Sequence, residues 1–262
     1  MRIPIYQIDA FADRPFAGNP AAVCPLERWL PDETMQAIGA ENNLSETAFL
    51  VPEGEVYRLR WFTPKVEVDL CGHATLASAY VVLNHLRPEW ERVVFHTLSG
   101  RLEVTRNGDL LMMDFPSRPP RLCDVHEDLV TALRIEPDAV LLAHEYMAVY
   151  PDELTVRSLH PDMPRLASVT KEFGVIVTAP GDECDFVSRF FAPAVGIPED
   201  PVTGSAHCAL TPYWAERLGK RELHARQVSA RGGELWCEDR GERVAIAGKA
   251  VPYLEGTIEV EG

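Results

Sequence analysis

The chain has 262 residues, 46% of them hydrophobic and 25% charged, a composition that supports a full core and argues against disorder. Its 40 acidic residues outnumber 25 basic ones, and the formal charge of −15 disfavours nucleic acid and anionic membrane as partners. No apolar run approaches the roughly 18 residues of a membrane span, and six cysteines without C-x-x-C spacing fit a reduced, cytoplasmic setting.

The N-terminus runs directly into a strand over 3–11, with no signal-peptide pattern. Phe16-Ala17-Gly18-Asn19-Pro20 reads as a turn and Ala21–Cys24 as a short strand. Pro31-Asp32 opens a helix with Asp32 as its expected N-cap, ending near Asn42-Asn43. Strands follow over Thr47–Val51 and Tyr57–Thr63, the second alternating between its two faces. Asp69-Leu70-Cys71-Gly72-His73 leads into a helix that is small or apolar on nearly every side to Leu83, as a buried helix must be. Its first turn carries unpaired N–H groups beside Gly72 and His73, a place to hold an anion. Strands near Val93–Thr97 and Arg101–Thr105 complete the first half.

About 130 residues on, the same landmarks return, and a long-period repeat of this kind reorganises the reading of the whole chain. Pro161-Asp162 repeats Pro31-Asp32, and Val175–Pro180 repeats Thr47–Pro52. Arg189–Pro193 repeats Arg60–Pro64, Thr203-Gly204-Ser205-Ala206 repeats Cys71-Gly72-His73-Ala74, and Gly232-Gly233 repeats Gly100-Arg101. The chain therefore reads as two similar α/β halves, residues 1–117 and 118–253. The Pro-rich stretch 116–120 is the boundary, and a terminal strand over 254–262 rejoins the first half. Two matched halves create a cleft suited to a small molecule, and both glycine-led helix starts can face it. Pro212, about two turns into the second helix, is expected to kink or shorten it.

Four residues stand out chemically. Glu46 lies between a helix end and an apolar strand, where a carboxylate can be half-buried and suited to proton transfer; a capping or salt-bridging role is the alternative. Its counterpart in the second half falls near Gly174, so the repeat does not itself require a glutamate. Asp200 sits with Glu199 in a short insertion before Gly204, where it forms an Asx turn ahead of Pro201 or orients a substrate group. His73 and Ser205 follow the two glycines; a core histidine and a helix N-cap are their simpler roles. No H-x-x-x-H, C-x-x-C or H-E-x-x-H spacing supports a metal, and no nucleotide loop or nucleophile elbow is present.

Asp9-Ala10-Phe11, Gly18-Asn19-Pro20-Ala21-Ala22-Val23, Ser45-Glu46-Thr47-Ala48-Phe49, Cys71-Gly72-His73-Ala74-Thr75 and Asp200-Pro201-Val202-Thr203-Gly204-Ser205-Ala206 together resemble the phenazine-biosynthesis isomerase-like family. The blocks occur in order over nearly the whole chain. The resemblance implies an α+β, diaminopimelate epimerase-like fold: two pseudo-symmetric halves, each a curled mixed sheet wrapped around a central helix. It implies a cofactor-free isomerase that moves a proton on a small, anionic, cyclic amino acid-like substrate, with Glu46 as acid/base. Asn19, Gly72, His73, Asp200, Gly204 and Ser205 match its substrate-site positions, and the family commonly forms homodimers. Related racemases use two thiols; here Cys71 stands near one such position but Thr203 occupies the other, a poor base at neutral pH. An amino-acid racemase or epimerase using Cys71, and a non-catalytic binding protein on the same scaffold, are the competing expectations.

Overall fold

The computed structural model describes residues 1–124, 127–170 and 174–260. Their chain contacts divide them into two compact units, Met1–Asp114 with the C-terminal residues from Ala247, and Phe115–Ile246.

The first unit opens with β1 (Arg2–Ala10), β2 (Asn19–Pro25), α1 (Asp32–Asn42), β3 (Glu46–Glu53), β4 (Val56–Phe62) and β5 (Glu67–Val68). It continues with α2 (Gly72–Val81), β6 (Arg92–Thr97), β7 (Gly100–Asn107) and β8 (Leu110–Pro116). β2 runs antiparallel to β1 and parallel to β3; β4 runs antiparallel to β3 and β5 and parallel to β6, which hairpins into β7. α2 packs on β1, β2 and β3, and almost every side chain from His73 to Val81 is buried. Its polar residues fit that burial because Thr75 Oγ1 and Ser78 Oγ donate to the carbonyls of Cys71 and Ala74 at 2.6 and 2.7 Å. Outside the sheet, α1 closes a second apolar layer with Met35 and Ile38 against Ile3, Cys24, Phe49 and Phe62.

The second unit holds β9 (Arg121–Leu122), α3 (Glu127–Leu133), β10 (Ala139–Leu142), β11 (Tyr146–Val149), α4 (Glu153–Ser158) and α5 (Met163–Thr170). Then come β12 (Val175–Pro180), β13 (Phe186–Ala192), β14 (Ile197–Asp200), α6 (His207–Leu218), β15 (Glu222–Gln227), β16 (Gly233–Asp239) and β17 (Arg243–Gly248). The pairing plan of the first unit recurs. β11 is antiparallel to β10 and parallel to β12; β13 is antiparallel to β12 and β14 and parallel to β15, which hairpins into β16. α6 takes the place of α2 and packs on β15 and β16. The last strand, β18 (Ala250–Glu259), belongs to the first unit and pairs with β1 from Arg2↔Glu259 to Ala10↔Ala250. It begins before the expected terminal strand, of which residues 261 and 262 lie outside the described residues.

A matched brace marks the repeat. Arg60 on β4 grips Glu67 on β5 with two bonds of 2.6 and 2.7 Å, and Arg189 on β13 grips Glu199 on β14 at 2.7 and 3.1 Å. The two guanidiniums lie over Phe62 and Phe191, 5.2 and 4.8 Å from the ring centroids. Glu199 is thus the counterpart of Glu67 and not part of an insertion; the extra chain is taken up before it, by the short 3₁₀ turn Pro193–Val195.

Three local expectations are corrected. Asp32 is not the N-cap of α1: Pro31 takes that position, and the Asp32 carboxylate turns to Arg60 at 2.8 Å. The second helix does not start at Gly204. Residues 204–206 form a tight turn with i→i+3 bonds, and the helix begins at His207 with no side-chain cap, so Ser205 is not an N-cap. Nor does Pro212 shorten the helix, which runs through it to Leu218. The carbonyl that Pro212 leaves without its helical N–H belongs to Cys208, and the backbone N–H of Arg118 donates to it at 2.9 Å.

Candidate active site

α1 ends in the left-handed Asn43 (φ 49°), whose N–H returns to the Gly39 carbonyl. Leu44 and Ser45 then carry the chain into β3, whose first residue is Glu46. β3 runs parallel to β2 in the register Ala21↔Glu46, so Glu46 and Asn19 stand at the same end of neighbouring strands. α2 starts at that end. Its second residue, His73, fills the space between them.

The result is a buried polar cluster in an apolar unit. Glu46 is 9% exposed, His73 6% and Asn19 0%. His73 Nε2 faces Glu46 Oε2 at 3.0 Å. The approach has the distance of an ion pair without hydrogen-bond alignment, and neither atom has a hydrogen-bond partner among the described residues. On its other edge, His73 Nδ1 lies 3.2 Å from Asn19 Nδ2 and 3.5 Å from Cys71 Sγ. An amide can serve either form of the ring, donating from nitrogen to a bare Nδ1 or, turned over, accepting from a protonated one.

Burial opposes a charge on His73, but Cys71 and Glu46 beside it outweigh burial and hold its pKa well above the usual imidazole range. Burial also pushes the Cys71 thiol up to about 11, with the Glu46 charge adding to the rise. At neutral pH Cys71 is therefore a thiol. A buried carboxylate with a free oxygen face and an imidazole at 3.0 Å can accept a proton and return it.

Glu46, Cys71 and His73 are also metal-ligand types, with one donor atom from each within 4.8 Å. The expectation of no metal rested on short spacings along the chain, and the fold brings Glu46 in from a separate strand. Gly72 is the first residue of α2, preceded by the extended Cys71.

The other expected residues lie in the second unit. Asp200 ends β14 and is half-buried; its Oδ2 accepts the Thr203 hydroxyl at 2.5 Å. Gly204 is buried and Ser205 half-buried, both in the turn before α6. Gln227, at the end of β15, was not singled out in the sequence. Its Oε1 accepts the Thr203 backbone N–H at 2.8 Å, and its Nε2 donates to the Asp200 carbonyl at 2.8 Å and to Thr203 Oγ1 at 3.2 Å. One buried amide thus fixes the turn that carries Asp200. His207, one helical turn from Thr203, hydrogen-bonds its carbonyl at 2.9 Å; burial pushes its pKa down to about 4. No composition or spacing signal marks either residue.

Strand register identifies the counterpart of Glu46. Thr47 pairs with Phe62 as Val175 pairs with Phe191, which sets Gly174 against Glu46. A Cβ on Gly174 would lie 2.2 Å from Phe190 Cζ. A larger residue at the matched place in the second unit would have to push the Phe190 ring aside.

A family model described as phenazine biosynthesis-like protein matches residues 8–256. The chain belongs to the phenazine biosynthesis-like family. A Pseudomonas aeruginosa relative named as an uncharacterized isomerase is 55% identical over 99% of this chain and 100% of its own. A human phenazine biosynthesis-like domain-containing protein is 41% identical, over 98% of this chain and 99% of its own. The crystal structure of a family member from Enterococcus faecalis is 47% identical with a TM-score of 0.97, covering 99% of this chain and 100% of that one. A hydroxyproline epimerase from Agrobacterium vitis shares the fold at 10% identity, with a TM-score of 0.61 over 98% of this chain and 91% of its own. The α+β, diaminopimelate epimerase-like architecture of the phenazine biosynthesis-like family is thus the fold of this chain. At family level, the relatives' names place it among isomerases. Among the described residues, no helix is long and apolar enough to cross a membrane.

Proposed function

We propose that this protein is a cofactor-independent isomerase that moves a proton between carbons of a small, carboxylate-bearing, cyclic amino acid-like substrate. Glu46 is the single acid/base. Its carboxylate takes a proton from one carbon, the electron pair passes into the substrate's conjugated system, and the new carboxylic acid returns the proton to another carbon. His73 orients Glu46, Asn19 holds His73, and Gly72 offers the first backbone N–H groups of α2 to an anion. Asp200, Gly204 and Ser205 are proposed as substrate-binding residues of the second unit.

The observation that carries this reading is the buried Glu46–His73 pair at 3.0 Å, with a glycine, Gly174, in the matched place of the other unit. One acid/base returning its own proton suits a shift between carbons; inversion at one carbon calls for groups on opposite faces. Incubation with small cyclic and α-amino acids in deuterated water, read by mass spectrometry, tests it. Carbon-bound deuterium should appear with a substrate and vanish in Glu46→Gln; full exchange by that variant would refute the assignment.

Cys71, 3.5 Å from His73, favours a second reading as an amino-acid racemase or epimerase. Its raised thiol pKa and the engaged hydroxyl of Thr203 weigh against it. It predicts exchange at Cα that Cys71→Ser abolishes. Binding of a screened compound without exchange would instead mark a non-catalytic member. We further propose a homodimer in a reduced cytoplasmic setting, which sedimentation and cell fractionation test; six unpaired cysteines support the setting.

A further inference from the structure

The hairpin between β1 and β2 is unusual in its backbone. Phe11 and Phe16 both adopt left-handed angles (φ 61° and 69°), a conformation costly for a bulky side chain. Gly18 does so as well (φ 64°), and a Cβ there would meet the Ala10 carbonyl at 2.1 Å. Packing on Phe16 is slight: it is 73% exposed, and its ring meets Tyr253 edge-on with centroids 5.6 Å apart. It is held through its backbone: its N–H donates to Asp9 Oδ2 at 2.9 Å. Asp9 is 1% exposed, a carboxylate buried inside β1 for which the proposed chemistry has no use.

The loop is anchored at its other points too. Phe11 packs on Gly248, where a Cβ would come within 2.4 Å of its ring, and Ala12 N–H bonds the Lys249 carbonyl at 3.2 Å. The hairpin closes at the pair Ala10↔Asn19, and Asn19 is the residue whose amide meets His73 Nδ1 at 3.2 Å. A continuous set of contacts therefore runs from Asp9 through the left-handed loop to Asn19, His73 and Glu46.

We propose that Asp9 is a positioning residue for the Glu46–His73 pair, acting through the Phe11–Gly18 loop and Asn19. Only the catalytic meaning of that pair rests on the proposed function; the coupling itself can be read without substrate. The buried carboxylate fixes the loop in a shape the backbone does not prefer, and that shape fixes the angle at which Asn19 meets the imidazole.

The test is nitrogen NMR of ¹⁵N-histidine-labelled protein, with the His73 ring signals assigned by their loss in His73→Gln. Asp9→Ala should move the His73 ring shifts and leave those of His207 in place. Asp9→Asn, which keeps an acceptor oxygen, should restore most of the change. Asn19→Ala should move the same signals, and Asp9→Ala added to it should move them no further, as two steps of one path require. An unmoved His73 in Asp9→Ala, equal shifts in Asp9→Ala and Asp9→Asn, or additive shifts in the double variant would each overturn the proposal. If Asp9→Ala does not fold, hydrogen exchange of the unaltered protein decides: the Phe16 amide should exchange as slowly as strand amides of β1, and rapid exchange refutes the anchor. Because no substrate enters, these outcomes are separate from whether Glu46 moves a proton.

Discussion

Phe190 closes over Gly174, its ring tip 2.2 Å from where a Cβ would stand. The two units are chemically unequal here, because the same strand position in the first unit carries Glu46. Gly174→Ala should destabilise the protein by about 1–3 kcal/mol through overpacking. The cost should sit low in that range, since Phe190 is only half-buried and its ring can swing aside. Urea denaturation measures it, and Phe190→Ala in the same chain should recover most of the loss.

His73 makes stability fall with rising pH. Its unfolded value is near 6.5 and its folded value is higher, so the folded state holds the extra proton. The stabilisation is complete below about pH 6.5 and is lost as pH rises through the folded value. In Glu46→Gln, burial remains while the neighbouring carboxylate is gone, so the His73 pKa should drop. An NMR titration of His73 in both proteins reads this directly; an unchanged midpoint would mean that Glu46 does not hold the charge.

His207 works in the opposite sense. Burial lowers its pKa from 6.5 to about 4, so the unfolded chain binds the proton first. Its contribution is complete above pH 6.5 and is lost as pH falls toward 4. The linkage amounts to about 2 kcal/mol between pH 8 and pH 5. Because His73 gains stability over the same fall in pH, the test is a difference: the change in stability from pH 8 to pH 5 should shift by about this amount between the unaltered protein and His207→Gln, whatever the variant's absolute stability.

A proline inside a helix ordinarily costs about 3 kcal/mol. Pro212 should cost far less, because the Arg118 N–H already satisfies the Cys208 carbonyl. Pro212→Ala is therefore expected to change stability by less than about 1 kcal/mol, as its new N–H would compete for an occupied acceptor. A gain near the full helical value would contradict this account.

The repeat was legible because its landmarks are prolines and glycines, which mark turns by backbone chemistry alone. The buried helix at Gly72 was legible because it is apolar on every side. What the sequence hid is what crosses between strands. Arg60 and Arg189 appear among the landmarks, but their partners Glu67 and Glu199 are fixed by strand register, which places Glu199 after the extra turn and not within it. Asp32 has the residue type of an N-cap, yet Arg60 draws its carboxylate away. Pro212 looked disruptive until Arg118, remote in sequence, supplied the missing donor. Glu46 and His73 were each visible as candidates; their 3.0 Å approach follows from the parallel register of β2 and β3. Gln227 gave no signal, since a buried amide differs from a surface one only in where the fold puts it; Asp9 is visible as the first residue of a family block, with nothing in the sequence to mark its carboxylate as buried.

The return of β18 to β1 sets an order of assembly. Every strand of the second unit precedes residue 249 in the chain, whereas the first unit still awaits the strand that covers β1 along its whole length. The half made first is thus the half finished last, and until Ala250–Glu259 emerges, β1 presents an open edge to other chains in the cell. Released chains truncated before residue 250 should accordingly protect the second unit from protease while leaving β1 and its hairpin open to cleavage.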